Sequence, residues 1–113
     1  MFKGLLMLTL LLPIVSQAKD WVDVTKNEDI KAALSDKLVR FDEHSFQVFL
    51  GNGKTRYITE RVSEGLWVAR DGQYCSAWSP TNKWICYDFF MKEDRVRFVL
   101  SDGTFSEGYF DKQ

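Results

Sequence analysis

The single histidine of the chain is the first candidate for chemistry. His44 follows two carboxylates in Asp42-Glu43-His44, and imidazole beside carboxylate occurs in acid–base and metal sites. No second histidine exists to complete a triad, and Ser63 lacks the G-x-S-x-G elbow of a hydrolase nucleophile. A lone imidazole beside two acids is more typical of a solvated turn. The triplet therefore predicts a turn and no catalytic or metal centre.

The segment Gly51-Asn52-Gly53-Lys54 is similar to a phosphate-binding loop only in composition. It lacks the full spacing of that motif and its strand–loop–helix setting. It predicts a hairpin turn instead. No catalytic residue, no metal and no cofactor is predicted anywhere in the chain, which indicates that the protein is not an enzyme.

Two cysteines, Cys75 and Cys86, are the next candidates. A metal pair or a catalytic thiol are the alternatives to a disulfide. Two thiols and one distant His44 are too few ligands for a closed zinc site, and no Cys/His signature surrounds either cysteine. An even count with no unpaired thiol fits one bridge. The sequence therefore predicts a structural disulfide.

Aromatic side chains are the remaining groups that can hold a ligand. They make up 15% of the chain and are dense between residues 67 and 110. Core packing explains most of such a set, because each aromatic buries about 150–250 Å². The functional alternative is that two or three of them present flat faces to a sugar, a peptide or another amphipathic ligand. The candidate contact residues are Trp78, Trp84, Tyr74 and Tyr87.

The N-terminus predicts export. Residues 1–18 run from a start with one basic residue, Lys3, through an apolar stretch to Ser16-Gln17-Ala18, which is the layout of a cleaved signal peptide. The apolar stretch is about half of the roughly 20 residues that cross a bilayer, so no membrane anchor is expected after cleavage. Residues 19–113 then form a single domain. Its formal charge is about −2 with dispersed basic residues, which argues against nucleic acid as a partner.

The mature chain predicts one helix followed by strands. Thr25 and Glu28 have the spacing of a capping box, and Ile30 and Leu34 follow at a helical interval, so a helix is expected over residues 26–35. Segments rich in aromatic and β-branched residues predict strands over residues 38–41, 46–50, 56–59, 66–70, 73–78, 84–90, 96–100 and 105–110. Turn signals between them predict an antiparallel meander.

The turn Asp71-Gly72 sets the register of the central strands. A two-residue turn there pairs Val68 with Cys75, and a loop over residues 79–82 then places Cys75 directly opposite Cys86. Opposed residues of a non-hydrogen-bonded pair lie about 4.5 Å apart between Cα atoms, within reach of a disulfide. The register therefore supports the predicted bridge.

Alternation along the same strands makes both faces of the sheet apolar. Tyr74, Trp78 and Tyr87 share one face, whereas Trp84 lies on the other with the cysteines. A sheet that is apolar on both sides curls around one face and covers the other or leaves it for a partner. The predicted fold class is mostly β (α+β): a meander curled into a half-barrel or a small lipocalin-like barrel, with the helix capping one end or face.

The last hairpin is assigned in the same way. The signal Asp102-Gly103 predicts a two-residue turn, which sets Leu100 opposite Phe105 and Phe98 opposite Glu107.

Three short motifs lie on successive predicted strands: Gly65-Leu66-Trp67, Cys75-Ser76-Ala77-Trp78 and Cys86-Tyr87. Their arrangement resembles small exported bacterial proteins built from a domain of unknown function, with G-x-W, C-x-x-W and C-Y on successive strands of a lipocalin-like or half-barrel sheet. The resemblance covers most of the mature chain. It implies an antiparallel β fold, the same disulfide and a place in the periplasm of a Gram-negative bacterium. It implies no catalytic residues and no activity.

Together these features predict a non-catalytic binding or interaction module that is periplasmic or secreted. Its expected partner is a periplasmic protein or a small amphipathic or glycan ligand. Three alternatives stay open: an envelope-associated structural protein that touches cell-wall glycan through Trp78 or Trp84, an inhibitor or immunity-type protein, and an enzyme of unrecognised type.

Overall fold

The computed structural model describes residues 20–112, so the predicted signal peptide, residues 1–18, lies outside the described part. The described chain forms one helix and nine strands. In chain order these are β1 (Val22–Val24), α1 (Asn27–Leu34), β2 (Lys37–Asp42), β3 (Ser45–Phe49), β4 (Lys54–Ile58), β5 (Val62–Arg70), β6 (Gln73–Trp78), β7 (Trp84–Lys92), β8 (Arg95–Val99) and β9 (Phe105–Phe110).

Strands β2 to β9 form an antiparallel meander that closes into an eight-stranded barrel. Each strand pairs with the next, and β9 returns to β2 through Val39 opposite Phe110 and Arg40 opposite Tyr109. The additional strand, β1, pairs with the second half of β7. The predicted antiparallel β fold with one helix is confirmed, and the sheet is a closed barrel rather than a half-barrel.

Helix α1 closes one end of this barrel. Ile30 and Leu34 lie one helical turn apart, are fully buried, and belong to the same hydrophobic cluster as the inward-facing Phe49 and Trp67. The turns β3–β4, β5–β6 and β7–β8 lie at this closed end, because successive turns of a meander alternate between the two ends. The turns β2–β3, β4–β5, β6–β7 and β8–β9 surround the opposite, open end.

The helix begins without the predicted capping box. Lys26 is the N-cap residue, in an extended conformation, and no side chain caps the helix. The next residue links the helix to the barrel instead: Asn27 Oδ1 accepts a hydrogen bond of 2.8 Å from the backbone N–H of Gly72 in the β5–β6 turn. The position of the helix is therefore fixed by the barrel and not by a local signal.

The register of the central strands is confirmed. Val68 lies opposite Cys75, and Cys75 lies opposite Cys86. Asp71 and Gly72 have φ angles of 55° and 76°, the left-handed pair of a type I′ hairpin turn. The two cysteines form the predicted disulfide, with their sulfurs 2.04 Å apart.

The register predicted for β8 and β9 is wrong by one residue. Val99, and not Leu100, lies opposite Phe105. The Leu100 N–H donates to the Thr104 carbonyl at 2.8 Å, and Gly103 ends the loop with a φ of 90°. The connection is thus a three-residue loop with a left-handed glycine, which adds one residue to the expected two. The slip exchanges the two faces of β9, because side chains alternate along a strand.

Candidate functional site

The open end of the barrel holds a cavity of about 600 Å³. Its lining comes from all eight strands of the barrel, β2 to β9, and from the β6–β7 loop at the mouth. Aromatic and small polar side chains share it: Phe41, Asp42, Ser45, Gln47, Tyr57, Ser63, Tyr74, Ser76, Trp78, Ser79, Tyr87, Phe98, Ser106 and Glu107. A second, smaller hollow of about 440 Å³ lies between α1 and the β3–β4 turn at the closed end.

Aromatic rings form the floor and one wall of the cavity. Tyr74 and Tyr87 are directly opposed on β6 and β7, with ring centroids 5.7 Å apart. Phe98 lies 5.0 Å from Tyr74 on one side and 6.0 Å from Phe49, a member of the closed-end core, on the other. Phe98 and Tyr74 therefore separate the packed half of the interior from the open half.

Trp78 extends the wall over β5, and a glycine makes room for it. Gly65 faces Trp78 across the β5–β6 pair, and a Cβ atom at Gly65 would lie only 2.7 Å from the Trp78 ring. The indole Nε1–H donates to the Ser76 hydroxyl at 3.1 Å, and Tyr57 meets the ring edge-on at 6.5 Å between centroids. The indole face is thereby held across β5 and toward the cavity.

A buried polar network lies beside the floor. Gln47 Nε2 donates to the Tyr74 hydroxyl and to Thr55 Oγ1, both at 3.0 Å, and the Thr55 hydroxyl donates to the Val48 carbonyl at 2.7 Å. Burial raises the pKa of Tyr74 to about 12, against the smaller opposing effect of the hydroxyl of Ser76 and the amide of Gln47. Tyr74 therefore stays protonated and neutral over the physiological range, as a hydroxyl that accepts from Gln47.

The mouth carries two carboxylates in different surroundings. Glu107 is engaged from outside the barrel, by Arg95 Nη2 at 2.9 Å and Arg97 Nη2 at 3.2 Å. Both guanidinium groups stack on Trp21, at 5.5 and 4.1 Å from its ring centroid, and neither arginine lines the cavity. The excess positive charge of this cluster thus lies on the outer wall.

Asp42, the second carboxylate, forms an Asx turn in the β2–β3 hairpin. Its Oδ1 accepts a hydrogen bond of 2.7 Å from the His44 backbone N–H, and this bond lowers the pKa of Asp42. The carboxylate pairs with no basic side chain among the ion pairs of residues 20–112. Asp42 and His44 thus stand in an exposed turn, where the sequence predicted one.

The four candidate contact residues divide between two surfaces. Tyr74, Trp78 and Tyr87 come together in the cavity. Trp84 lies on the outer wall, 40% exposed, with the Arg70 guanidinium 5.3 Å from its ring centroid. One ligand therefore cannot contact Trp78 and Trp84 together.

Polar lining residues were missed by the sequence reasoning. Gln47, Ser45 and Ser76 face inward although their types are usual on exposed faces. The only signal for them was alternation: Ser76 shares a face with Tyr74, and Gln47 shares one with Phe49. Finding Gln47 required knowing which face of β3 points into the barrel.

Residues 20–112 contain no cluster of three or more His, Cys, Asp or Glu side chains placed to hold a metal ion. Within the same range no helix has the length and apolarity to cross a bilayer.

A scan against protein-family models and searches of curated proteins and of solved structures find no match to this chain. The resemblance to exported bacterial proteins with a domain of unknown function therefore stays a prediction from the residue pattern. Function must be argued from the geometry of the site.

Proposed function

We propose that the protein is a non-catalytic binding protein that holds a small amphipathic molecule in the open end of its barrel. The observation that carries this proposal is the cavity of about 600 Å³, which several aromatic rings and a few convergent polar groups line. Small-molecule sites have this composition and occupy about 300–1,000 Å³, and the mouth of a β-barrel is a preferred place for them.

The two kinds of lining have separate tasks in this proposal. Tyr87 and Trp78 present ring area to the apolar body of a ligand. The hydroxyl of Ser106 offers a donor and an acceptor to its polar part. The network of Gln47 and Tyr74 holds the floor in place, so the site is preformed and little ordering opposes binding.

We also propose that the protein is exported to the periplasm or secreted. The Cys75–Cys86 disulfide supports this, because such bonds persist in oxidising compartments and are rare in the cytosol. The predicted signal peptide at residues 1–18 supports it independently. Intact mass of the protein from a periplasmic fraction tests it: the chain should begin at Lys19 and be two hydrogens lighter than its reduced form. A chain that keeps residues 1–18 in the cytosolic fraction would contradict it.

Titration with Nile red, an uncharged dye that fluoresces in apolar surroundings, tests the binding proposal. The mature protein should give a saturable rise in fluorescence. Trp78→Ala should raise the dissociation constant of the dye by about tenfold, since an aromatic contact contributes up to about 1.5 kcal/mol. Trp84→Ala removes the same side chain from the outer wall and should change it less than about twofold.

Blocking the mouth gives a second test, which does not remove any core side chain. Ser106 lies on the inner face at the rim, so Ser106→Trp should abolish saturable binding. Ser101→Trp places the same side chain in the exposed β8–β9 loop, outside the cavity lining, and should leave binding intact. Equal binding by all four variants, each shown to be folded by far-UV circular dichroism, would contradict a site in the cavity.

The outer wall carries a second candidate function. Trp84 and Leu66 are exposed there, 40% and 49%, in line across β5, β6 and β7 with the buried Ala77 between them. An exposed ring on the outer wall suits contact with cell-wall glycan. Sedimentation with insoluble peptidoglycan, lost in Trp84→Ala and kept in Trp78→Ala, would favour this function over the first.

A further inference from the structure

The charge of the cavity lining restricts the ligand further. Among the described residues that line the cavity, none is Lys, Arg or His, whereas Asp42 and Glu107 carry carboxylates. An anionic headgroup that left water here would find only neutral hydroxyl and amide donors. Burial of an ion without a charged partner is costly, so this lining discriminates against carboxylates, phosphates and sulfates.

The nearby positive charge does not change this conclusion. Arg97 lies next in sequence to the inward-facing Phe98, so alternation turns it outward, where it pairs with Glu107 and stacks on Trp21. Arg95 has the same orientation and the same two partners. Glu107 is therefore neutralised from the outer wall, and of the two carboxylates in the cavity lining Asp42 is the one that forms no ion pair within residues 20–112.

The aromatic walls act in the same direction. The faces of Tyr and Trp rings carry the negative part of the ring quadrupole and attract ammonium groups, more strongly when water is excluded. Tyr87, Trp78 and Tyr57 line the same cavity as the ionised Asp42. Ring faces inside and one free carboxylate at the mouth form a site for an ammonium group with an apolar body.

We propose that the ligand is an organic cation, an amine or quaternary ammonium compound with an apolar chain or ring, whose charged group lies at the mouth beside Asp42. This inference rests on the proposed function and adds the chemical class of the ligand.

Three probes with the same eight-carbon chain test the class: octylamine, octanol and octanoate, which are cationic, neutral and anionic at neutral pH. Each is titrated against the mature protein loaded with Nile red, and the concentration that displaces half of the dye is measured. Octylamine should displace the dye at a concentration at least about tenfold lower than octanoate, with octanol between them.

Asp42→Asn separates the contribution of charge from that of shape. The Asn side-chain oxygen can still accept from the His44 N–H, so the turn is kept. In this variant the octylamine concentration that displaces half of the dye should rise about two- to fivefold, as expected for an exposed charge contact, and the octanol concentration should not change. Asp102→Asn is the matched control, because Asp102 accepts from the Thr104 N–H in a loop at the same end but lies outside the cavity lining.

The outcomes distinguish the two proposals. Nile red binding with octanoate as effective as octylamine, or an equal loss for octylamine and octanol in Asp42→Asn, would overturn the cationic class and leave the binding function standing. If the dye does not bind the mature protein at all, the proposed function fails, and the ligand class fails with it.

Discussion

The two ends of the barrel are built from the same strands and differ in what fills them. At the closed end, α1 inserts Ile30 and Leu34 between inward-facing aromatic rings, and both side chains are fully buried. At the open end no helix formed by residues 20–112 enters, and the inward positions hold Ser45, Gln47 and Ser76 around a cavity of about 600 Å³. Packing at one end thus supplies the stability that lets the other end remain open and polar.

The largest expected difference between the ends is the cost of removing an aromatic ring. Phe49 is fully buried and contacts Trp67, Tyr74 and Phe98 within about 6 Å between ring centroids. Phe49→Ala should lower the free energy of unfolding by about 3–5 kcal/mol. Tyr87→Ala, at the half-buried wall of the cavity, should lower it by only about 1–2 kcal/mol. Urea unfolding followed by tryptophan fluorescence measures both losses. Equal losses would show that the open end contributes as much to stability as the closed end.

The disulfide gives the next largest effect. Cys75 and Cys86 join β6 to the first half of β7, the hairpin that walls the open end. The paired substitution Cys75→Ser with Cys86→Ser should lower the free energy of unfolding by about 2–3 kcal/mol, as expected for a bridge that closes a short loop. The reduced wild-type protein should match the variant in urea unfolding. If reduction changes nothing, the packed end alone determines stability.

These comparisons also show how far the sequence predicts the fold. The register of β5 to β7 was predictable because Asp71-Gly72 permits only a tight left-handed turn and because the resulting count brings two cysteines together. The β8–β9 register was not, since Asp102-Gly103 fits both a two-residue and a three-residue loop. Only the position of Gly103 in that loop decides between them.

The site was predictable only in part. Aromatic density on one face of β6 and β7 identified Tyr74, Trp78 and Tyr87, and alternation separated them from Trp84. The polar lining was not predictable, because Phe46 and Val48 make the other face of β3 the more apolar one, so nothing local shows that the face with Ser45 and Gln47 turns inward. Barrel closure decides this through the contacts of β9 with β2, which join residues far apart in the chain.

Alkaline pH should lower the free energy of unfolding through Tyr74, which lies between the two ends of the barrel. The pKa of Tyr74 is about 12 in the folded protein and near 10 in the unfolded chain, so between these values the unfolded state loses its proton while the folded state keeps it. Stability is therefore full below about pH 10 and falls as pH rises, by about 1.4 kcal/mol at about pH 11. Burial also raises the pKa of Tyr87, which adds to the same trend.

Urea unfolding at several alkaline pH values tests this, with Tyr74→Phe as the control. The variant loses the hydroxyl bonded to Gln47 and should start about 1 kcal/mol less stable. Its stability should then fall less steeply than that of the wild type above pH 10, because the other titrating groups are common to both. Parallel curves would mean that Tyr74 ionises in the folded protein as readily as in the unfolded chain.

Stability and binding should decrease together when Gly65 is changed. A Cβ atom at Gly65 would lie 2.6 Å from the Ala77 carbonyl oxygen and 2.7 Å from the Trp78 ring, so Gly65→Ala must displace the indole from the cavity wall. The strain should lower the free energy of unfolding by about 1–2 kcal/mol and weaken Nile red binding several-fold. Gly51→Ala is the matched control at the closed end. The nearest atom to a Cβ there is an Asp36 carboxylate oxygen at 3.1 Å, on a side chain that can move, so both quantities should stay near their wild-type values. Loss of stability without loss of binding in Gly65→Ala would mean that the Trp78 indole does not form the cavity wall that binds the ligand.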